Sequence, residues 1–142
     1  MKNQITISKL VVVMTLFFTL FSNGQTILDK LKIKTETQGL KYIADTQTEL
    51  QMGGMSRWDV TLAPGKYKIF GLGGFSQVED IDLIISNYDT DELIVKETDE
   101  EGGISILDVN MEKTTKVSIK IYNRKSSPRY EHYYCYILIT KN

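Results

Sequence analysis

The 142-residue sequence contains few of the residues that cross-link small folds through disulfides or bind common metal ions. It contains one cysteine, one histidine, one tryptophan and two prolines. Cys135 alone cannot form an internal disulfide, so the fold depends on its apolar core for stability. A zinc site is excluded, because one histidine and one cysteine cannot furnish the usual ligand set.

The same scarcity excludes the familiar nucleophilic sites. Cys135 lies three residues beyond the single histidine, His132, so on a predicted strand the two side chains point to opposite faces. A Cys–His pair needs both groups within reach of each other. No serine stands in a Gly-x-Ser-x-Gly motif. The sequence therefore predicts a protein that is not an enzyme. The alternative left open is a secreted hydrolase, or a hydrolase inhibitor, with an unrecognised site.

No apolar run is long enough to span a membrane. The longest covers residues 10–21, whereas a transmembrane helix needs about 20 apolar residues. This run follows Lys2 and Lys9 and precedes the small and polar residues 22–24, which is the layout of a secretory signal peptide over residues 1–24. An N-terminal membrane anchor is the alternative. The predicted location is therefore secreted or periplasmic, with no membrane span after cleavage.

The remaining chain has no excess of positive charge. Removing Lys2 and Lys9 from the 17 basic side chains leaves 15 against 18 acidic ones, a net charge of −3. That balance argues against nucleic acid or an anionic membrane surface as the partner. The predicted partner is an extracytoplasmic protein or a polysaccharide.

Apolar and polar residues alternate on both sides of the turn at residues 63–65. Trp58, Val60 and Leu62 share one face, which directs the tryptophan inward. Pro64 fixes φ and Gly65 permits a positive φ, so this segment has the chemistry of a tight turn. We therefore expect strands over 58–62 and 66–70 to pair as antiparallel neighbours.

Further short strands are predicted along the rest of the chain, at residues 40–44, 81–85, 93–98, 104–109, 117–121 and 133–140. A loop containing Gly71, Gly73 and Gly74 follows residue 70, and a basic surface loop covers 123–129. Because the last strand is apolar on both faces, it belongs in the middle of a sheet. About eight short strands at this spacing predict an all-β sandwich or barrel.

A helix is predicted at residues 26–38, ahead of the strands. Thr26 and Asp29 form a pattern like a capping box, and Gly39 suits the position just after a helix. Ile27, Leu28 and Leu31 form a narrow apolar stripe, so we expect the helix to lie against the edge or end of a sheet. The alternative is that it frays in solution, since a helix of this length is marginal alone.

Several short motifs resemble those of bacterial pre-peptidase C-terminal (PPC-type) domains. Leu-Ala-Pro-Gly-Lys-Tyr at 62–67 is similar to their "x-x-Gly-x-Tyr" hairpin, and Asp-Ile-Asp-Leu at 80–83 to their "Asp-x-Asp-Leu" strand entry. Residues 93–98, 116–123 and 133–140 fit later strands, although Asp91-Glu92 stands where the family favours glycine.

The resemblance implies a jelly-roll-like antiparallel β-sandwich that accompanies secreted enzymes or stands alone, without catalysis of its own. Residues 56–142 would form the PPC-like sandwich, in one domain with a helix and lead-in strand at 25–55.

Acidic turns suggest calcium as the one metal worth testing. Residues 79–82 enter one strand and residues 99–101 close the next connection. Loop carboxylates of this kind supply the oxygens that Ca²⁺ takes. An EF-hand is excluded, because Glu92 occupies the position that requires glycine. The predicted ligands are Asp80, Asp82, Asp99 and Glu101; the alternative is that they are solvated turn residues.

Tyrosines gather near the predicted C-terminal hairpin, at positions 122, 130, 133, 134 and 136. Aromatic side chains favour strands and fill cores, which is the first interpretation of this group. Tyr130 alone lies in a polar loop where exposure is expected, so it is the candidate ligand-binding residue. The sequence thus predicts an exported, non-catalytic binding or accessory module whose ligand it does not identify.

Overall fold

The computed structural model describes residues 27–74, 77–99 and 101–142. Helix α1 (Ile27–Thr37) comes first. Eight strands follow in the described part of the chain: β1 (Lys41–Leu50), β2 (Met55–Leu62), β3 (Gly65–Gly73), β4 (Val78–Asn87), β5 (Leu93–Glu97), β6 (Ile104–Met111), β7 (Thr115–Ser126) and β8 (Tyr133–Lys141). The predicted signal peptide lies outside the described residues. Within those ranges, no helix is long and apolar enough to cross a membrane.

The strands form two four-stranded antiparallel sheets. Their orders are β1-β8-β3-β6 and β2-β7-β4-β5. The pairs β1–β8, β2–β7, β3–β6 and β4–β5 are those of one long hairpin rolled up on itself, which is the jelly-roll arrangement. The predicted all-β, jelly-roll-like sandwich with an N-terminal helix is therefore confirmed. Strand β8 lies between β1 and β3, as its two apolar faces predicted.

Alternate residues of both sheets build the core between them. Ile81, Leu83 and Ile85 of β4 are fully buried there. On β2, Leu62 is buried, whereas Trp58 and Val60 are partly buried and pack against the same cluster. The predicted inward face of β2 is confirmed, and the tryptophan lies at the margin of the core because β2 is an edge strand.

The predicted hairpin across residues 63–65 is wrong. Strands β2 and β3 belong to different sheets, so the turn carries the chain from one layer to the other. Gly65 does have a positive φ, +146°, and a Cβ there would lie 2.4 Å from Cε of Lys141. The Tyr67 hydroxyl donates to the carbonyl of Ala63 at 2.8 Å, which fixes the crossing.

Helix α1 lies on the outer face of the β1-β8-β3-β6 sheet, so its expected place at an edge or end is wrong. Leu28 and Leu31 pack with apolar side chains of the two central strands, Phe70, Leu72, Tyr136 and Leu138. The helix ends as predicted, since Gly39 has φ +81° and donates to the carbonyl of Glu36. Leu40 N–H closes the motif by donating to the carbonyl of Thr35 at 3.0 Å.

Two predicted loops are shorter than expected. Gly71 and Gly73 belong to β3 and face the opposite sheet, where a Cβ would lie 2.8 Å from Cγ of Leu83 and 2.3 Å from Cβ of Val78 respectively. These glycines therefore permit close approach of the two sheets. The basic loop starts after residue 126, because β7 continues to Ser126 and Asn123 is fully buried within it.

Candidate functional site

The connection between β7 and β8, residues 127–132, carries an exposed aromatic side chain against a buried one. Tyr130 is 52% exposed. Its ring meets that of Tyr133 edge to face, with 6.0 Å between centroids and 76° between planes. Tyr133 is the first residue of β8 and is buried, so it supports Tyr130 from the sandwich side.

The Tyr133 hydroxyl also holds the backbone of this connection. It donates to the carbonyl of Ser127 and accepts from the Tyr130 N–H at 3.0 Å. One buried side chain thus satisfies two polar groups of the loop. Tyr130, the predicted ligand-binding residue, is therefore held by a hydrogen bond from its own backbone N–H.

A pocket of about 290 Å³ opens beside these rings, lined by Gly74, Gln77, Tyr130, His132, Tyr133 and Tyr134. Gly74 marks the place where the end of β3 meets β8, because its N–H donates to the carbonyl of Tyr134 at 2.6 Å. A Cβ at Gly74 would lie 2.8 Å from that carbonyl oxygen, so the close approach depends on glycine. We call this cavity the tyrosine pocket.

Polar groups border the tyrosine pocket. Nε2 of Gln51 lies 3.3 Å from Nε2 of His132 and 3.4 Å from Oε1 of Glu131. Tyr134, which is 44% exposed, hydrogen-bonds to Glu49 on the adjacent strand, and that contact raises the pKa of the phenol. Its ring is therefore oriented by a cross-strand partner.

Two residues of the pocket lining, and a third that contacts His132, come from parts of the chain that the sequence did not link to this site. Gln51 lies in the β1–β2 connection, and Gly74 and Gln77 lie between β3 and β4. Gly74 is recognisable in the sequence only as a loop glycine, and nothing in the local pattern marks the two glutamines.

We expect Tyr133→Phe to loosen this connection. The change leaves the Ser127 carbonyl and the Tyr130 N–H without their partner, a loss of about 1–2 kcal/mol in the free energy of unfolding. Limited trypsin digestion should then cleave after Arg129 faster than in the unchanged protein. Tyr67→Phe is the matched control, because it removes a similar hydroxyl–carbonyl bond elsewhere in the sandwich. Equal cleavage after Arg129 in both variants would contradict this role of Tyr133.

The four predicted calcium ligands are placed differently from one another. Oδ1 of Asp80 lies 3.4 Å from the Gly102 N–H, so this carboxylate does reach the 99–103 loop. Asp82 is buried and paired with Arg124, while Asp99 and Glu101 are exposed. The described ranges contain no group of three or more His, Cys, Asp or Glu side chains placed to hold a metal. Calcium binding by this set stays a prediction.

The single histidine and cysteine are separated as expected. Cys135 is fully buried, and burial raises the pKa of its thiol to about 12. A thiol in that state is a poor nucleophile, because the thiolate is the reactive form. His132 is exposed and lines the tyrosine pocket.

Comparison with known proteins finds similarity at the level of structure. No protein-family model matches the chain, and no curated protein matches it. A pre-peptidase C-terminal domain of collagenase from Bacillus anthracis has a TM-score of 0.49 and 13% identity, covering 68% of this chain and 87% of that one. PliG from Aeromonas hydrophila, a periplasmic inhibitor of g-type lysozyme, has a TM-score of 0.47 and 14% identity, with coverages of 74% and 90%. Yersinia pseudotuberculosis-derived mitogen has a TM-score of 0.43 and 15% identity, with coverages of 70% and 85%.

These similarities are too distant to assign a function. All three identities are below 25% and all three TM-scores are below 0.5. The collagenase domain and PliG are both β-sandwiches. The chain is a β-sandwich similar in structure to, among others, a pre-peptidase C-terminal domain, the kind of domain that residues 62–67 and 80–83 resemble in sequence.

Proposed function

We propose that the protein is an exported, non-catalytic module that binds a polysaccharide outside the cytoplasm through the tyrosine pocket. The observation that carries this proposal is a concave site where Tyr130 and Tyr134 are both exposed and both held in place. A ligand site is usually a cavity lined by aromatic and apolar side chains, with a small number of polar groups in fixed positions.

The chemistry of the pocket suits a sugar ring. A pyranose presents C–H groups on its faces and hydroxyls around its rim, so it can lie on an aromatic ring while its edge makes hydrogen bonds. Tyr130 and Tyr134 supply the rings. His132 supplies a donor or acceptor in the lining, and Gln51, which contacts both His132 and Glu131, lies beside it. A volume of about 290 Å³ accommodates a single sugar unit of a longer chain.

The same geometry supports binding without catalysis. Glu131 and His132 both contact the amide of Gln51, a group that transfers no proton. A general acid or base would instead have to face a bound substrate with a second titratable partner. Cys135 lies in the core with its thiol protonated, so it supplies no nucleophile to the pocket.

The proposal is tested by affinity electrophoresis in gels that contain xylan, hydroxyethylcellulose or chitin oligosaccharides. We expect at least one of these glycans to retard the protein, and the Tyr130→Ala/Tyr134→Ala variant to lose that retardation. Tyr42→Ala is the control, because Tyr42 is exposed to a similar degree on β1 and lies outside the pocket.

The outcomes separate the possible functions. Equal migration of the double variant and the unchanged protein, or no retardation by any of the glycans, would overturn the proposal. Release of reducing ends from a glycan would favour the hydrolase alternative instead. Sequencing the N-terminus of the exported protein tests cleavage near residue 24.

A further inference from the structure

The outer face of the β2-β7-β4-β5 sheet is the second large surface of the sandwich. Helix α1 packs on the outer face of the other sheet. Among the described residues, none of its side chains packs against the β2-β7-β4-β5 sheet. Because side chains alternate along a strand, β7 directs Lys116, Ser118, Lys120, Tyr122 and Arg124 outward. Basic residues thus recur at every fourth position of a central strand. We call Lys116, Lys120 and Arg124 the β7 basic row.

Carboxylates on the same face pair with the basic groups: Asp82 lies beneath Arg124, whereas Asp91 is more exposed than Lys120. Nε of Arg124 donates to Asp82, whose side chain is only 4% exposed, and Nζ of Lys120 lies 3.2 Å from Oδ1 of Asp91. On the neighbouring strand, Nε of Arg57 donates to Oδ1 of Asp59 at 2.7 Å. These contacts hold the long basic side chains, of which Arg124 is 47% exposed and Lys120 is 20% exposed, while Lys116 is exposed.

Aromatic rings support two members of the row. Nζ of Lys116 lies 3.5 Å from the ring centroid of Tyr88, and the guanidinium of Arg124 lies 4.6 Å from that of Tyr122. Arg57 also lies over the Tyr88 ring, at 5.2 Å. The row is therefore an ordered set of cations on the outer face of one sheet, in a chain whose overall charge is −1.

The spacing of the row indicates which anionic polymer fits it. Residues four apart on a strand are separated by about 13 Å. Duplex DNA carries a charge about every 1.7 Å of its axis, so most of its phosphates would find no partner here. The Tyr88 ring already contacts two cations, Lys116 and Arg57, which would compete with a nucleic-acid base for stacking on it. A polysaccharide with one acidic group on every sugar or every second sugar has a charge density much closer to that of the row.

We propose that an acidic polysaccharide docks along the β7 basic row. This surface shares no residue with the tyrosine pocket and does not depend on it. Ion pairing between Lys116, Lys120 or Arg124 and sugar carboxylates would supply the affinity, so binding weakens as salt is added.

The test uses the full-length exported protein with polygalacturonate, neutral dextran and a duplex DNA as probes. We expect polygalacturonate to bind and dextran not to bind. Lys116→Gln/Lys120→Gln should weaken polygalacturonate binding about tenfold at low salt and reduce the slope of affinity against salt. The matched control is Lys41→Gln/Lys66→Gln, which removes the same charge from exposed positions on the other sheet.

Melting temperatures first show that both double variants fold. Each outcome of the binding test then supports or overturns docking on the β7 basic row. Equal losses in the two double variants would show a general charge effect and overturn the docking site. Tighter binding of DNA than of polygalacturonate at the same salt would replace the polysaccharide by nucleic acid. Tyr130→Ala should leave polygalacturonate binding unchanged, which separates this proposal from the tyrosine pocket.

Discussion

Arg124→Met is expected to destabilise the protein by about 3–5 kcal/mol, because it leaves a buried carboxylate without its partner. The Asp82 side chain is 4% exposed, whereas that of Arg124 is 47% exposed. The guanidinium donates to Oδ2 of Asp82, and Oδ1 is buried with no hydrogen-bond partner among the described residues. The acid therefore depends on this one cation. Urea denaturation measures the loss.

Two further variants test whether the loss of stability depends on the burial of Asp82. Asp82→Leu/Arg124→Met should recover most of the lost stability, because both members of the pair are then replaced by apolar groups. Arg57→Met is the matched control: its partner Asp59 is 34% exposed, and a pair that water reaches contributes little. Similar losses from Arg57→Met and Arg124→Met would show that the Asp82 pair is no more important than a surface contact.

Strand positions were predictable from the sequence because burial on one face leaves a local pattern. The alternation at Trp58, Val60 and Leu62 and at residues 81–85 gave the correct inward face in each case. Strand β8 was placed centrally because both of its faces are apolar. Each of these inferences needs only the residues of one strand.

Pairing partners could not be read from the same residues. Pro64 and Gly65 reverse the chain whether the next strand joins the same sheet or the opposite one. Contact with residues far along the chain decides which sheet the next strand joins. Nζ of Lys141 donates to the carbonyl of Pro64 at 3.0 Å, and β3 pairs with β6 and β8. A tight turn in a sandwich is therefore weak evidence for a hairpin.

The candidate site was likewise predictable only in part from the sequence. Tyr130 was predicted to be exposed because it lies in a polar loop, and it is exposed. Its ligand-binding role stays a prediction. Gln51 reaches His132 across 81 residues of sequence, so no local pattern could have joined them. The roll of the sandwich brings the β1–β2, β3–β4 and β7–β8 connections together, and that topology was not available from periodicity.

The position of the helix was missed for a different reason. Phe70 and Leu72 alternate with the core-facing Tyr67 and Ile69, so β3, like β8, is apolar on both faces. Two neighbouring strands of this kind require a cover on the outer side of their sheet. The narrow stripe of Leu28 and Leu31 suffices, since it meets that apolar face directly.

Leu31→Ala is expected to cost about 3 kcal/mol, because it removes the most buried contact between the helix and the sheet. Leu31 is 1% exposed and packs with Phe70 and Leu138, both of which are buried. Loss of this contact also releases a helix of 11 residues, which is marginal alone. Chemical denaturation measures the change, and increased binding of an apolar dye would report the uncovered face.

Ile33→Ala is the matched control for this prediction. Ile33 lies two residues further along the same helix, is 51% exposed, and loses the same number of carbon atoms on change to alanine. Alanine also favours the helix more than isoleucine does, so we expect a change within about 0.5 kcal/mol. Comparable losses at positions 31 and 33 would mean that the helix does not dock through Leu31. The outer face of the β1-β8-β3-β6 sheet would then be open to ligands, like that of the β2-β7-β4-β5 sheet.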